Sequence, residues 1–249
     1  MTSTTVGPQR LYLMQVATML AGPLMLPVPC YLVQMGDGKN ILIDTGLALA
    51  PAGTEIIQED SLGRGLGLRY GQSVIEQLAT LGVQPEDVDL LISTHYDEDH
   101  AGNLGAFPRA QIVVQRLQHE VAIAGHPRFE KTRSQWDQPA SRFRFVEGDT
   151  ELLPGLELIE TSGHVPGHQS VIVSLPQTGP VLLAIDAVAL QAHFTRERPV
   201  GPTDADGEQT IASTLKLLEL NRKRAFSLTV FGHDQEQWNT LKQLPAFYD

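Results

Sequence analysis

The sequence has almost no cysteine and few basic residues, and each shortage excludes a class of protein. Cys30 is its only cysteine, so neither an internal disulfide nor a cysteine-based zinc knot can form. This usage suits a reducing compartment, and we expect a cytoplasmic protein in which Cys30 is buried and inert. The 18 basic and 29 acidic residues give a net charge of −11, which repels polyanions and argues against a nucleic-acid partner.

The chain also lacks an uninterrupted apolar run of membrane-spanning length. Residues 11–33 are mostly apolar, but polar residues and three prolines, Pro23, Pro27 and Pro29, interrupt them. Residues 1–10 contain one basic residue and no apolar core, unlike a signal peptide. We therefore predict a strand, an apolar loop and a second strand here, and no membrane association.

The order of elements predicts an α/β protein. With 249 residues, of which 42% are hydrophobic, the chain suits one large domain over residues 1–249. Interleaved strands and helices, several strands being joined as hairpins, favour mixed sheets flanked by helices. Residues 47–72 are predicted to form a long loop, and residues 126–141 are predicted to form an insertion or lid. Ser73 and Glu76 have the spacing of a helix-capping box.

Metal-ligand residues follow the predicted strand 88–93. His95, Asp97, Asp99 and His100 lie within six residues, directly after this apolar run. Imidazole nitrogens and carboxylate oxygens are good ligands for divalent ions, and a strand end holds them rigidly. The alternative is a solvated acidic loop, but two histidines framing three acids beside a core strand favour a metal site.

Three further strand-like runs end on residues of the same kind. His164 and His168 lie in a Gly- and Pro-rich turn, Asp186 ends an apolar strand, and His233 ends another. Any one of these alone would more often be structural. Four such endings in one chain predict a convergent site.

These motifs resemble the metallo-β-lactamase superfamily, and most closely its N-acyl homoserine lactonase branch. The supporting segments are Pro27–Leu32, Asp37–Asn40, Ile43–Gly46, His95–His100, Gly163–Ser170, Ile185–Asp186 and Phe231–Asp234. The resemblance covers nearly the whole chain. It implies an αβ/βα sandwich with a two-metal site at its rim.

The resemblance also implies roles for individual residues. One metal would be held by His95, Asp97 and His164, the other by Asp99, His100 and His233, with Asp186 bridging the two. His168 would be structural or support the ligands, and Asp44 would support the site from behind.

Position 97 departs from the family pattern, which has His-x-His-x-Asp-His where this chain has aspartate. Three outcomes stay open: Asp97 binds metal, the first metal binds weakly, or Asp97 turns away. A carboxylate is a harder ligand than imidazole. Zinc is the first expectation, with iron or manganese as alternatives.

A second departure concerns the substrate. The lactonases that the chain resembles have a tyrosine three residues after the bridging aspartate, whereas this chain has Ala189. His193 could replace the missing hydroxyl, or it could be an ordinary surface histidine. Met19, Leu20, Leu24 and Met25 could form an apolar mouth for an acyl chain, or could simply pack in the core.

The resulting hypothesis is a metal-dependent hydrolase that opens a lactone or related ester, with acyl homoserine lactones among its small-molecule substrates. Asp99 would hold the attacking water and move a proton toward the leaving alkoxide. The alternatives are a thioester hydrolase similar to glyoxalase II and a catalytically degenerate metal-binding or sensor protein. Members of the family are often dimers, so a homodimer is kept as an alternative to a monomer.

Overall fold

The computed structural model describes residues 6–59 and 65–249, which form two β-sheets with helices on their outer faces. The eight-stranded sheet contains β1 (Pro8–Ala21), β2 (Leu24–Met35), β3 (Asn40–Ile43), β4 (Glu55–Glu59), β5 (Gly65–Tyr70), β6 (Val88–Ile92), β7 (Gln111–Gln115) and β8 (Phe143–Val146). The five-stranded sheet contains β9 (Thr150–Leu153), β10 (Leu156–Glu160), β11 (Gln169–Leu175), β12 (Gly179–Ile185) and β13 (Leu228–Phe231). The helices are α1 (Val74–Thr80), α2 (Glu98–Ala101), α3 (Arg116–Ile123), α4 (Arg133–Trp136), α5 (Gly207–Arg224) and α6 (Gln235–Trp238).

Strand order gives each sheet its mixed character. The large sheet runs β4-β5-β1-β2-β3-β6-β7-β8, and the small sheet runs β13-β12-β11-β10-β9. Hairpins give antiparallel pairs, whereas β3, β6, β7 and β8 pair in parallel and are connected through helical segments. The mixed sheets expected from the sequence are confirmed.

The apolar residues fall into three cores that define four layers. Leu11 and Leu13 of β1 pack with Val171 and Leu183 between the two sheets. Their neighbours Tyr12 and Met14 face the opposite way, toward α1 and α3. The outer face of the small sheet packs against α5. Because successive strand residues point to opposite faces, the nearly continuous apolar run of β1 serves two cores. The layers are helix, sheet, sheet, helix, as predicted.

The predicted apolar loop within residues 11–33 is wrong. β1 and β2 form one long hairpin that closes at Gly22 and Pro23, with Ala21 paired to Leu24. Prolines are tolerated in β2 because β3 pairs only with Tyr31–Gln34, so the segment around Pro27 has a strand partner on one side only. The sequence pattern conceals this pairing because a proline lacks the backbone N–H that a central strand needs.

The predicted loop at residues 47–72 is also wrong, since it contains β4 and β5. β4 is an edge strand and mostly exposed, so it lacks the alternation of apolar and polar residues that predicts a strand. β4 pairs with β5, and the pairing of β5 with β1 supplies what the local sequence does not. The described residues do not include residues 60–64 of this loop. They also do not include residues 1–5, at the start of the segment that is unlike a signal peptide.

Residues 126–141, the predicted insertion or lid, form short helical turns packed onto the core. Phe129 and Trp136 are buried in the core beneath α3. The indole nitrogen of Trp136 donates to the Phe129 carbonyl at 2.9 Å, and the Thr132 hydroxyl donates to the Tyr96 carbonyl at 2.7 Å. The segment is thereby fastened to the loop that carries the metal-ligand motif.

Gly102, which closes that motif, has no room for a side chain. A Cβ there would lie 2.3 Å from the Ala48 nitrogen and 2.5 Å from the Gly46 carbonyl oxygen. Both are backbone atoms, so the clash can be relieved only by a shift of the main chain and not by rotation of a side chain. We expect Gly102→Ala to lower the free energy of unfolding by about 2–4 kcal/mol.

Chemical denaturation of the two variants checks this. Gly105→Ala is the matched control, because its Cβ would have no neighbour closer than 3.4 Å. Equal stability of Gly102→Ala and Gly105→Ala would show that the close backbone approach is not a constraint.

Candidate metal centre

Four strand ends meet at one edge of the seam between the sheets. β6 leads into the loop with His95, Asp97, Asp99 and His100, and β10 leads into the turn with His164. Asp186 follows β12, and His233 follows β13 by two residues. The structure therefore brings the residues that follow these four strands together at this edge.

The turn after β10 depends on one glycine. Gly163 has φ of +140°, and a Cβ there would lie 2.3 Å from the Thr210 backbone nitrogen of α5. The Ser213 hydroxyl of the same helix donates to the Ser162 carbonyl at 2.6 Å. Close contact with α5 therefore fixes the direction of the His164 side chain.

The residues form two groups of three. In one, ligand atoms of His95, His164 and Asp186 lie within 4.8 Å of one another; in the other, those of Asp99, His100 and His233 do. All six residues are buried. Each group therefore has the spacing and the donor atoms of a site for a divalent ion.

Asp186 lies between the two groups. Its Oδ2 is 3.3 Å from His164 Nε2, while its Oδ1 is 3.5 Å from His100 Nε2 and 3.1 Å from His233 Nε2. A single carboxylate thus reaches both groups.

Three buried polar atoms at this point have no hydrogen-bond partner among the described residues. They are His95 Nε2, His100 Nε2 and Asp186 Oδ1. Leaving such atoms unpaired in a protein interior is costly, and nearly all buried polar atoms are satisfied. Metal ions in the two groups would satisfy all three, so the donor set fits a metal.

The opposite ring nitrogens of the histidines are held by the protein. Asp44 Oδ2 accepts from His100 Nδ1 at 2.8 Å and from the Thr94 hydroxyl at 2.7 Å. The Pro27 carbonyl accepts from His233 Nδ1 at 2.7 Å. Such partners fix the ring orientation and leave Nε2 free for an ion.

His164 and His168 differ in their surroundings. His164 Nδ1 lies 3.4 Å from Asp204 Oδ1, and Asp204 is paired in turn with Arg198 at 3.2 Å. His168 is bonded at both ring nitrogens, to the Thr161 hydroxyl at 2.9 Å and the Asp186 amide at 3.2 Å. His168 therefore buttresses the site, whereas His164 Nε2 faces it.

Asp97 points into the first group and does not turn away. Its Oδ2 lies 3.1 Å from His164 Nε2 and 3.4 Å from His95 Nε2. Arg128 also grips it, Nε donating to Oδ1 at 2.7 Å and Nη2 to Oδ2 at 2.5 Å. Burial would raise the pKa of Asp97, but the neighbouring imidazoles of His164 and His95 and the guanidinium of Arg128 outweigh it and hold that pKa well below its usual range.

Sequence reasoning missed Arg128 and Asp204. Neither belongs to a recognisable motif, and Arg128 lies in a segment with no helical or strand period. The extra negative charge at Asp97 was the available clue, because a buried carboxylate calls for a cationic partner.

Two exposed apolar residues precede Pro27 in β2, and position 189 is an alanine. Leu24 and Met25 are 53% and 49% exposed, just before Pro27, whose carbonyl holds His233. Ala189 follows a short helical turn over Asp186–Val188, and its carbonyl accepts from the His233 amide at 2.8 Å. Among the described residues, the backbone amide of His193 donates a hydrogen bond to the Leu190 carbonyl.

Comparison with known proteins agrees with this geometry. Residues 25–233 match the family described as the metallo-beta-lactamase superfamily. The chain belongs to the metallo-beta-lactamase superfamily. Membership implies divalent metal ions at the site that these residues form.

Its relatives include several lactonases. An N-acyl homoserine lactonase from Bacillus sp. is 34% identical over 235 residues, covering 93% of this chain and 91% of the relative. N-acyl homoserine lactonase AttM from Azorhizobium caulinodans is 32% identical, with 90% and 88% covered. A crystal structure of a B. thuringiensis AiiA mutant with N-decanoyl-L-homoserine at its active site has a TM-score of 0.86 at 30% identity, covering 97% of this chain and 100% of that one.

No helix within residues 6–59 and 65–249 has both the length and the apolar character needed to cross a bilayer.

Asp44 should control metal affinity without touching the metal. It fixes the His100 ring and is itself held by the Thr94 amide at 2.8 Å. In Asp44→Asn an amide group replaces one acceptor oxygen, so His100 loses its anionic partner. We expect metal affinity to fall about 10- to 100-fold.

Metal content after dialysis against graded chelator checks this expectation. Asp37→Asn is the control, since Asp37 is an exposed turn residue paired with Lys39. Unchanged metal retention in Asp44→Asn would mean that orientation of His100 does not need this carboxylate.

Proposed function

We propose that this protein is a metal-dependent lactonase that hydrolyses N-acyl homoserine lactones. The observation that carries the proposal is the pair of buried ligand groups joined by Asp186, in a chain 34% identical to an N-acyl homoserine lactonase over most of its length. A structural relative named N-acyl homoserine lactone hydrolase binds the product N-hexanoyl-L-homoserine at its catalytic metal centre, at 30% identity and a TM-score of 0.85.

In this proposal the seven predicted residues hold two ions. The first position consists of His95, Asp97 and His164, the second of Asp99, His100 and His233, and Asp186 is shared. Zinc suits the mixed nitrogen and oxygen donors, and the carboxylate at position 97 also suits iron or manganese. When bound, such ions lower the pKa of water and polarise a carbonyl oxygen.

Asp99 is the proposed proton carrier. Burial would raise the pKa of Asp99, but His100 and His233 outweigh it and the pKa lies below its usual value, so the group is an acceptor at neutral pH. Its Oδ2 lies 3.5 Å from His100 Nε2 and 3.6 Å from His233 Nε2. A carboxylate there can hold the attacking water and pass its proton to the leaving alkoxide of the opened ring.

The substrate's acyl chain is proposed to lie on the tip of the β1–β2 hairpin. Leu24 and Met25 present apolar side chains to solvent close to Pro27, which contacts His233 through its carbonyl. Exposed apolar groups beside a charged site suit a substrate with a polar ring and an apolar tail. With alanine at position 189, the chain offers no phenol where the resembled lactonases have one.

Hydrolysis assays on the metal-loaded protein test this function. We expect it to open N-hexanoyl- and N-decanoyl-homoserine lactone, to lose that activity with a chelator and to regain it with added Zn²⁺. Thioesters and phosphoesters are the comparison substrates. Faster turnover of a thioester would favour a glyoxalase II-like hydrolase, and bound metal without turnover of any substrate would favour a degenerate metal-binding protein.

Substitution of Asp99 separates its two roles. Asp99→Asn keeps the shape but accepts a proton poorly, and we expect kcat to fall about 10²- to 10⁴-fold. Metal content is measured alongside the rate. The exposed Asp137→Asn is the control for loss of one negative charge. A fully loaded Asp99→Asn enzyme with wild-type kcat would remove Asp99 from proton transfer.

A further inference from the structure

Arg128 contacts the same two residues that the first metal position would use. Its Nη2 lies 2.5 Å from Asp97 Oδ2 and 2.8 Å from His164 Nε2. Those oxygen and nitrogen lone pairs are the ones that would face an ion held with His95. The guanidinium therefore competes with a metal for two of its ligands.

The backbone holds Arg128 in this place. Its Nη1 donates to the Thr203 carbonyl at 2.5 Å, and its side chain is only 17% exposed. On either side, His126 caps the turn by accepting from the Arg128 amide at 3.3 Å, and Phe129 is fully buried. The arginine lies on a segment packed into the core and does not reach in from solvent.

The chemistry of arginine makes this contact selective. A guanidinium stays charged, has only donors, and its fork matches both oxygens of Asp97. Because a guanidinium has only donors, its 2.8 Å contact with His164 Nε2 is a hydrogen bond only in the tautomer that carries its proton on Nδ1, facing Asp204. A neutral His164 in this tautomer is also the metal-binding form, so arginine and metal compete for the same lone pair.

Among the residues that the structure describes, no cationic side chain competes for the second position in this way. Nε2 of His100 lacks a hydrogen-bond partner among the described residues, and the contacts of His233 Nε2 are with carboxylates. This asymmetry between the two positions begins at Asp97, the residue at which the chain departs from the family motif.

We propose that Arg128 is the resident cation of the first position, so that a divalent ion fills the Asp99–His100–His233 position first and enters the other only by displacing the guanidinium from His164. This inference rests on the proposed assignment of two metal positions. It makes Arg128 a positioning residue that compensates the charge of Asp97 and sets the order in which metals bind.

Titration of metal-free, full-length protein with Co²⁺ tests the order. Visible absorption reports ligand geometry, and equilibrium dialysis gives the number of ions bound per chain. We expect one tight equivalent and a second that binds about tenfold to hundredfold more weakly, because a second cation must displace a fixed positive charge.

Arg128→Met keeps the apolar stem and removes the charge, so both equivalents should bind with similar affinity. Arg128→Gln, which retains some hydrogen bonding, should behave in the same way and serves if the methionine variant folds poorly. Arg133→Met is the matched control, because Arg133 lies in the same segment with its side chain 56% exposed. It should titrate in two steps, like the unaltered protein.

Two equal equivalents in the unaltered protein would overturn the proposal, and so would two unequal steps in the Arg128 variants. Neither result depends on turnover, so each leaves the lactonase proposal standing. Conversely, ordered binding of Co²⁺ in a protein that hydrolyses no lactone would sustain the role of Arg128 and reject the proposed activity. Failure to bind Co²⁺ at all would reject both.

Discussion

The buried carboxylate of Asp186 is the interaction on which the centre depends. It lies between two histidine clusters at the seam of the sheets, within 3.5 Å of His164, His100 and His233, and one of its oxygens has no hydrogen-bond partner among the described residues. Burying this much charge is unfavourable unless it is compensated. The four strand ends, the supporting residue Asp44 and the close packing at Gly102 all serve to hold these groups together around a place for a cation.

Much of this arrangement could be predicted because it follows local rules. The ligand residues from His95 to His100 follow an apolar strand and can be recognised without any tertiary information. The capping box at Ser73 can be recognised in the same way, and the structure confirms it. The apolar run of β1 also predicted a strand. The sequence pattern failed at edge strand β4, whose side chains are mostly exposed and whose partner β5 is itself placed by pairing with β1, far back in the chain.

The centre was predictable to the same extent and for the same reason. Residues that end strands could be gathered by pattern, whereas Arg128 and Asp204 are defined only by what they touch. The sequence leaves open whether Asp97 binds metal, weakens the first metal position or turns away; the structure shows it engaged by a guanidinium in a shared hydrogen-bond network with His164. A substitution that adds charge to a buried site is therefore best understood by finding the residue that balances it.

The side chains around Asp186 are arranged to hold a divalent ion between the sheets. Anomalous X-ray diffraction at the zinc absorption edge, from crystals grown with Zn²⁺, tests this most directly. We expect a peak about 2.0–2.2 Å from the Nε2 atoms of His100 and His233 and from an oxygen of Asp186. Zinc-grown crystals with no anomalous peak among these three residues would contradict it.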